Sequence, residues 1–242
     1  MKPQQRNFFL IGLTLLAILG VGVVVGVTRP AQPKPSESSS EFIDVQYTAA
    51  NVNRVVRLTK VSSDAFDGAR FTAGSSSAKN TVVEFADYQC PACGLFATQS
   101  ESTFKTKLVD TGKVRYAFRD FPLPQHQNAP LAAQAASCAN DQGRFAEYKA
   151  ILFRGQAQWS ESLNEAATAQ FAEYATSVGL NKAKLLECLK SNNAQAAIET
   201  DKALGVQIGL SSTPSFVING YLMSGALPAE AFEAIIAKVG RP

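Results

Sequence analysis

The sequence predicts an α/β fold in which one sheet domain is interrupted by a block of helices and preceded by a transmembrane helix. Short β-branched and alternating runs lie on both sides of a long stretch with helical periodicity. An uncharged apolar stretch lies near the N-terminus. The 242 residues are enough for one domain of ordinary size with attachments.

Composition excludes several classes of protein. Hydrophobic residues make up 46% of the chain and charged residues 18%, which excludes wholesale disorder. A mean hydropathy of -0.02 excludes a polytopic membrane protein. The net charge of +3 comes from scattered residues and argues against a nucleic-acid partner. One His and 4 Cys argue against a His-based metal site and a disulfide-dense miniprotein.

The N-terminal segment predicts a signal anchor. Residues 8–27 carry no charge, and a helix of that length reaches about 30 Å, the thickness of the hydrocarbon core. Lys2 and Arg6 precede it, which favours a short cytoplasmic N-terminus at residues 1–7. The alternative is a cleaved signal peptide, whose apolar region is normally shorter. We expect a single-pass membrane protein with the rest of the chain on the extracytoplasmic side.

A Pro/Ser-rich tether is predicted at residues 28–44. The folded domain is predicted at residues 45–242, with the helical insertion at about 126–192. Strands are predicted at residues 54–59, 81–85, 114–118, 215–218 and 221–224.

Individual elements follow from local patterns. The run at 81–85 is typical of a buried central strand. At 114–119, by contrast, apolar residues alternate with Arg115, Ala117 and Arg119, which predicts a half-exposed strand. Asn219-Gly220 predicts a hairpin turn. Helices are predicted at residues 97–109 and after Pro228. Between them, four apolar faces with helical spacing predict four more helices: Leu131, Ala135 and Cys138; Phe145, Tyr148 and Leu152; Phe171, Tyr174 and Val178; and Leu185, Cys188 and Leu189.

The chemistry lies in Cys90-Pro91-Ala92-Cys93, between a predicted strand and a predicted helix. Cysteines at i and i+3 on a first helical turn can close a disulfide. The unpaired N–H groups and the helix dipole there stabilise a thiolate at Cys90. Cys93 is predicted to be buried and to resolve the mixed disulfide. The alternative is half of a zinc site, but no second close pair of ligands accompanies this motif.

A second motif, Thr213-Pro214, places a proline at the start of a predicted strand and is a candidate cis bond. Phe85-Ala-Asp-Tyr-Gln-Cys-Pro-Ala-Cys93, with Thr213-Pro-Ser-Phe216 and Asn219-Gly220, resembles the DsbA family of thiol:disulfide oxidoreductases, especially its membrane-tethered members. The resemblance covers roughly residues 81–239.

The resemblance implies a thioredoxin fold with an inserted helical domain. It implies that Cys90 is the nucleophile, that Cys93 is the resolving cysteine and that Pro214 is a cis-proline facing them. Thr213 and Pro214, together with Pro91 and Ala92, are expected to contact substrate.

The resemblance also assigns a role to Glu84, which matches an acidic residue beneath the active site of the family. A buried carboxyl there has a raised pKa and could relay the proton of Cys93. The alternative is a salt-bridged strand residue. Ala92 departs from the family, because the strongly oxidising members carry His there. We therefore expect a less extreme oxidant.

The remaining cysteines, Cys138 and Cys188, are predicted to form a structural disulfide. Pairing of Cys90 with Cys93 by adjacency leaves only this second bond, and an exported, oxidising setting preserves it. Two free buried thiols are the alternative. Trp159 and neighbouring aromatic residues are expected in the core rather than in a substrate groove, and His126 as a turn or cap residue rather than a catalytic base.

The predicted function is that of an extracytoplasmic protein disulfide oxidase without cofactor or metal. The resemblance implies a single-pass protein of the bacterial cytoplasmic membrane, with its catalytic domain on the extracytoplasmic (periplasmic) side. The expected partners are reduced exported proteins, a quinone-linked membrane reoxidant of the DsbB or VKOR type, and the lipid bilayer at residues 8–27. The protein is expected to be a monomer that binds no nucleic acid. The alternatives are a reductase or isomerase using the same site, and a redox-inactive peptide-binding module.

Overall fold

A mixed sheet of seven strands runs through residues 41–241, the part of the chain that this computed structural model describes. The strands are β1 (Phe42–Ala49), β2 (Val52–Lys60), β3 (Phe71–Ala73), β4 (Asn80–Ala86), β5 (Val114–Asp120), β6 (Ser215–Ile218) and β7 (Tyr221–Ser224). Their order across the sheet is β1-β2-β7-β6-β4-β5-β3. Strands β4 and β5 are parallel, and the other neighbours are antiparallel.

The helices connect and cover this sheet. They are α1 (Pro91–Leu95), α2 (Glu101–Phe104), α3 (Ala129–Asn140), α4 (Phe145–Arg154), α5 (Gln156–Trp159), α6 (Asn164–Ser177), α7 (Lys182–Ser191), α8 (Gln195–Gln207) and α9 (Ala229–Val239). π-Helical segments Phe96–Ser100 and Lys105–Val109 follow α1 and α2, so the chain is helical from Pro91 to Val109. The predicted α/β class and the helix at residues 97–109 are confirmed.

The predicted transmembrane helix at residues 8–27 lies outside the described residues, as does most of the predicted tether. Among residues 41–241, no helix has both the length and the apolar character needed to cross a membrane. The predicted end of the tether at residue 44 is too late, because β1 already begins at Phe42. Ile43, Val45 and Tyr47 alternate with exposed residues on β1 and give this strand its buried face.

The helical block between β5 and β6 is longer than the predicted insertion at about 126–192. It continues through α8, which ends at Gln207. Asn181 caps α7, since its side chain accepts a hydrogen bond from the backbone N–H of Lys184. Gly179 has a positive φ at the end of α6, as expected of a C-cap.

The prediction that residues 114–118 form a half-exposed strand is wrong. All residues of β5 except Arg115 are buried, because this strand lies between β4 and β3 and has packed residues on both faces. Arg119 made the sequence pattern look like that of an exposed face. In the structure this residue is only 2% exposed and pairs with Asp201 of α8. A paired and hydrogen-bonded arginine can be buried.

The C-terminal strands carry the second predicted motif. β6 and β7 pair across Asn219 and Gly220, both with positive φ, as the Asn-Gly signal predicts. Helix α9 follows Pro228. Its Phe232 packs against Phe96, in the π-helical segment after α1, and against Phe216 of β6. Each such buried aromatic side chain contributes about 2–3 kcal/mol relative to an exposed one. This packing holds the helical stretch that Cys90 caps against β6, the strand that begins after Pro214.

Candidate active site

The two cysteines of the redox motif occupy the start of the first helix, directly after β4. Cys90 is the N-cap residue of α1, and Pro91 is at the first helical position, where a missing N–H costs nothing. Both cysteines are free thiols in this structure. Cys90 is 7% exposed and Cys93 is 0% exposed. Only Cys90 can therefore be approached by another molecule.

Surrounding groups separate the acidities of the two thiols. Hydrogen bonds lower the pKa of Cys90 from its usual value to about 5, and the largest contribution comes from the Cys93 thiol. Thr213 and the backbone N–H groups of Cys93 and Ala92 contribute further, and together these outweigh the opposing effect of burial. Burial raises the pKa of Cys93 well above its usual value. The site therefore favours a thiolate at Cys90 and a neutral thiol at Cys93.

The loop before β6 faces Cys90. The Thr213–Pro214 peptide bond is cis. The Cys90 thiol donates to the backbone oxygen of Thr213, with the sulfur and oxygen 3.3 Å apart. The hydroxyl of Thr213 is buried and has no hydrogen-bond partner among the described residues. This hydroxyl lowers the pKa of Cys90, since it can donate to the thiolate.

Glu84 is fully buried in β4, and its carboxylate is hydrogen-bonded to β5 and to the helical insertion. It accepts from the hydroxyl of Tyr116 and from Nζ of Lys149, which lies 3.4 Å away. Lys149 also donates to Glu101, at 2.6 Å. Burial raises the pKa of Glu84. None of its recorded hydrogen bonds reaches Cys93, so the geometry matches the salt-bridged alternative, and the proton relay stays a prediction.

Lys149 was not predicted as a site residue from the sequence. This residue lies on α4 and is 3% exposed, although its helix was identified only by its apolar face. Its ammonium group makes three hydrogen bonds, to Glu84, Glu101 and Tyr116, and lies 4.7 Å from the ring centre of Phe118. A lysine in an otherwise apolar helix stripe was the available signal.

Two side-chain amides next to the motif were also missed. Gln156 of α5 donates to the backbone oxygens of Tyr88 and Cys90, at 2.8 and 2.9 Å. Gln89 donates to the backbone oxygen of Ser160, and its own side-chain oxygen accepts from the backbone N–H of Asn128. These contacts join the redox loop to the helical insertion. No spacing rule identifies them, since the partners are far apart in the sequence.

The other predicted substrate-contacting residues lie around Cys90. Pro91 is exposed and Ala92 is half-buried. His126 is bonded through Nδ1 to the buried carboxylate of Asp87, at 2.8 Å, which fits a structural turn residue. Trp159 is fully buried, as expected of a core residue.

Cys138 and Cys188 are joined by a disulfide, with an S–S distance of 2.04 Å and a Cα–Cα distance of 5.8 Å. The bond links α3 to α7 inside the helical block. Cys138 is buried, whereas Cys188 is partly exposed. The pair belongs to the insertion rather than to the redox loop.

Comparison with known proteins decides the family. The family model described as Thioredoxin matches residues 67–238. The chain belongs to this thioredoxin family. Within it, the fold, with the Cys90–Cys93 dithiol at the start of α1, is similar to that of DsbA proteins of known structure.

Curated relatives match this thioredoxin-family chain over part of their length. It is 34% identical over 164 residues to a Na(+)/H(+) antiporter, NhaA 3 of Salinispora tropica, covering 67% of the chain and 24% of the antiporter. It is 26% identical over 170 residues to a putative protein-disulfide oxidoreductase of Rickettsia prowazekii, covering 68% of the chain and 59% of that protein. The chain thus spans about a quarter of the length of the first and less than two thirds of the second.

Solved structures share the fold of this family member. Alpha-DsbA1 of Wolbachia pipientis superposes with a TM-score of 0.64 at 24% identity, covering 72% of this chain and 92% of that one. Oxidised BdbD from Bacillus subtilis gives 0.59 at 22% identity, covering 69% and 89%. A protein-disulfide isomerase from Novosphingobium aromaticivorans gives 0.60 at 25% identity, covering 70% and 97%.

Proposed function

We propose that this chain is an extracytoplasmic thiol:disulfide oxidase that donates a Cys90–Cys93 disulfide to exported proteins. The observation that carries the proposal is the environment of Cys90, whose pKa is lowered to about 5 by hydrogen bonds to its sulfur. A stabilised thiolate lowers the free energy of the reduced enzyme. The disulfide is then easily reduced, which means that it is a good oxidant.

The first step forms a mixed disulfide. A substrate thiolate attacks the sulfur of Cys90, because Cys93 is fully buried and cannot be reached. The S–S bond between Cys90 and Cys93 breaks, and the new bond joins substrate sulfur to Cys90. Cys93 leaves with the electron pair and takes up a proton, since burial raises its pKa.

The second step releases the oxidised substrate. A second substrate thiolate attacks the substrate sulfur of the mixed disulfide, and Cys90 leaves as a thiolate. Two electrons have passed from the substrate dithiol to the enzyme. Hydrogen bonds from Cys93, Thr213 and the start of α1 stabilise the departing Cys90 sulfur.

The groups around the site define the substrate surface. Exposed Pro91 and half-buried Ala92 lie beside Cys90, and the backbone oxygen of Thr213 lies 3.3 Å from its sulfur. We propose that an extended peptide lies along Thr213 and Pro214 while its cysteine reacts at Cys90. Backbone pairing of this kind accepts many sequences, which suits an oxidase with many substrates.

The location and redox partner belong to the same proposal. The uncharged residues 8–27 support a membrane anchor with the domain on the extracytoplasmic side. A quinone-linked membrane protein of the DsbB or VKOR type would reoxidise the Cys90–Cys93 dithiol. Anchoring both proteins in one bilayer raises their effective concentration.

One observation favours a second candidate, a reductase or isomerase using the same dithiol. Ala92 lies between the cysteines and contributes no charged group to the Cys90 thiolate. The fold is also shared, at 25% identity, with a protein named a protein-disulfide isomerase. The direction of exchange follows from the reduction potential alone, since the bonds that form and break are the same.

Oxidation of a reduced model peptide with two cysteines tests the exchange steps. The oxidised full-length chain is expected to convert the peptide to its disulfide stoichiometrically. Cys93→Ser is expected to accumulate a mixed disulfide at Cys90 when supplied with an activated peptide disulfide, whereas Cys90→Ser forms none. Retained oxidation by Cys90→Ser would overturn the assignment of the nucleophile.

A further inference from the structure

The side chain of Gln156 connects the helical insertion to the backbone of the redox loop at Tyr88 and Cys90. It lies on α5, outside the part of the chain that carries the two cysteines. Its Nε2 group donates to the backbone oxygen of Cys90 at 2.9 Å and to that of Tyr88 at 2.8 Å. One amide group therefore binds the carbonyl of the nucleophile and the carbonyl two residues before it.

The neighbouring chain makes room for this amide. Gly94 follows Cys93, and a Cβ atom added to it would lie 3.0 Å from the side-chain oxygen of Gln156. Contact at that distance would force the amide to shift by a few tenths of an ångström. The backbone oxygen of Cys90 accepts from both Gln156 and the backbone N–H of Gly94, so the amide reinforces the first turn of α1.

The consequence concerns the orientation of the Cys90 sulfur. That sulfur depends on the backbone N–H groups of Ala92 and Cys93 and on Thr213, all of which are directional partners. Hydrogen bonds to the carbonyls of Tyr88 and Cys90 hold the turn in one conformation. That conformation directs the Cys90 sulfur toward these hydrogen-bond partners.

We propose that Gln156 is a positioning residue for thiol–disulfide exchange, through which the helical insertion holds Cys90 in the geometry that stabilises its thiolate. It does not contact the sulfur and is not a catalytic residue. The helical block thereby contributes to the redox properties of a site whose cysteines it does not contain.

The test compares two glutamines on α5 in the full-length chain. Gln156→Leu keeps the approximate size of the side chain and removes both hydrogen bonds to the loop. Gln158→Leu is the matched control, because Gln158 accepts from Tyr174 inside the insertion and has no hydrogen bond to the redox loop. The readouts are the pH titration of thiolate absorbance at 240 nm and the equilibrium with glutathione.

For Gln156→Leu, we expect the pKa of Cys90 to rise by about half a unit to one unit, as the loss of directional hydrogen bonds predicts. The equilibrium constant for oxidation of glutathione should fall by about three- to tenfold, where tenfold corresponds to 29.6 mV. Gln158→Leu should match the parent protein in both measurements. An unchanged pKa in Gln156→Leu, or an equal shift in Gln158→Leu, overturns the proposal.

A second variant covers the case in which Gln156→Leu does not fold. Gly94→Ala keeps Gln156 but forces its amide to shift by a few tenths of an ångström, so the pKa of Cys90 should rise in the same direction by a smaller amount. An unchanged pKa in a folded Gly94→Ala protein also counts against the proposal. The inference rests on the proposed function only for its effect on oxidising power. A parent protein that exchanges poorly with glutathione would contradict the oxidase, whereas the pKa comparison would still decide the role of Gln156.

Discussion

The sulfur of Cys90 lies 3.3 Å from the backbone oxygen of Thr213, and 123 residues of sequence separate the two. This contact brings together the two motifs that the sequence predicts separately, one at the start of α1 and one at the start of β6. It also places the hydroxyl of Thr213, which has no partner among the described residues, where it can stabilise the Cys90 thiolate. The contact depends on β4 and β6 being neighbours in the sheet.

The acidity of Cys90 should make the stability of the reduced protein depend on pH. Its pKa in the folded state, about 5, is lower than the usual value of 9.0. The stabilisation is therefore present at high pH and is lost as the pH falls through 5. At pH 7 it amounts to about 3 kcal/mol. Urea unfolding of the reduced protein at pH 4.5 and 7 should show this difference, relative to Cys90→Ser. Equal pH profiles for the two proteins would show that Cys90 is not an acidic thiol.

Lys149 should be essential for stability, because it is the buried partner of Glu84. Lys149→Met should lower the free energy of unfolding by about 3 kcal/mol or more, since it leaves a buried carboxylate without its counter-ion. The loss should be larger at pH 8 than at pH 5, where Glu84, with its raised pKa, is closer to neutral.

The matched control for that change is the double variant Lys149→Met/Glu84→Gln, which should recover part of the loss, measured by urea unfolding. A single variant within about 0.5 kcal/mol of the parent protein, the range of an ordinary surface substitution, would contradict the importance of this pair.

The contribution of Asp120 to the free energy of unfolding should fall as the pH rises. Burial raises the pKa of this carboxyl to about 7, even though Arg70 lies 2.6 Å away. Its contribution to stability is complete below the unfolded pKa near 4 and is lost as the pH rises to 7. Asp120→Asn should therefore gain stability relative to the parent protein by up to about 4 kcal/mol between pH 4 and 7.5. Parallel unfolding curves across this pH range would rule out the titration of Asp120.

The disulfide between Cys138 and Cys188 should stabilise the helical block without affecting exchange. It closes a loop with a sequence separation of 50. Replacing both cysteines by alanine should cost about 4 kcal/mol in the chain-entropy account of disulfides. Thermal or urea unfolding measures this cost, and the glutathione equilibrium of Cys90 and Cys93 is the control. A changed equilibrium would indicate that the second disulfide takes part in electron transfer.

Local patterns predicted the features that depend on neighbouring residues. The Cys-Pro-Ala-Cys turn, the cis bond before Pro214 and the Asn219-Gly220 hairpin each have a short signal with one favoured geometry. The alternation at Ile43, Val45 and Tyr47 was also a usable signal for β1, but no strand was predicted there and Ile43 was assigned to the Pro/Ser-rich tether.

Features that depend on distant packing could not be predicted in the same way. Arg119 gives β5 the pattern of a half-exposed strand, and only the packing of α8 shows that Asp201 neutralises it. Likewise, Glu84 is bonded to Lys149, 65 residues later in the sequence, and Cys90 to Gln156, 66 residues later. Long polar side chains reach such partners only after the insertion has docked, so no sequence spacing identifies them.

The reduction potential of Cys90 and Cys93 in the full-length chain, equilibrated against glutathione, tests the central claim most directly. The stabilised thiolate at Cys90 predicts an oxidising disulfide, with a potential above about -200 mV. The strongest oxidants of the family have potentials near -120 mV. Because position 92 is Ala and not His, we expect a lower potential than that for this protein. A value near that of thioredoxin, about -270 mV, would contradict the oxidase and indicate a reductant.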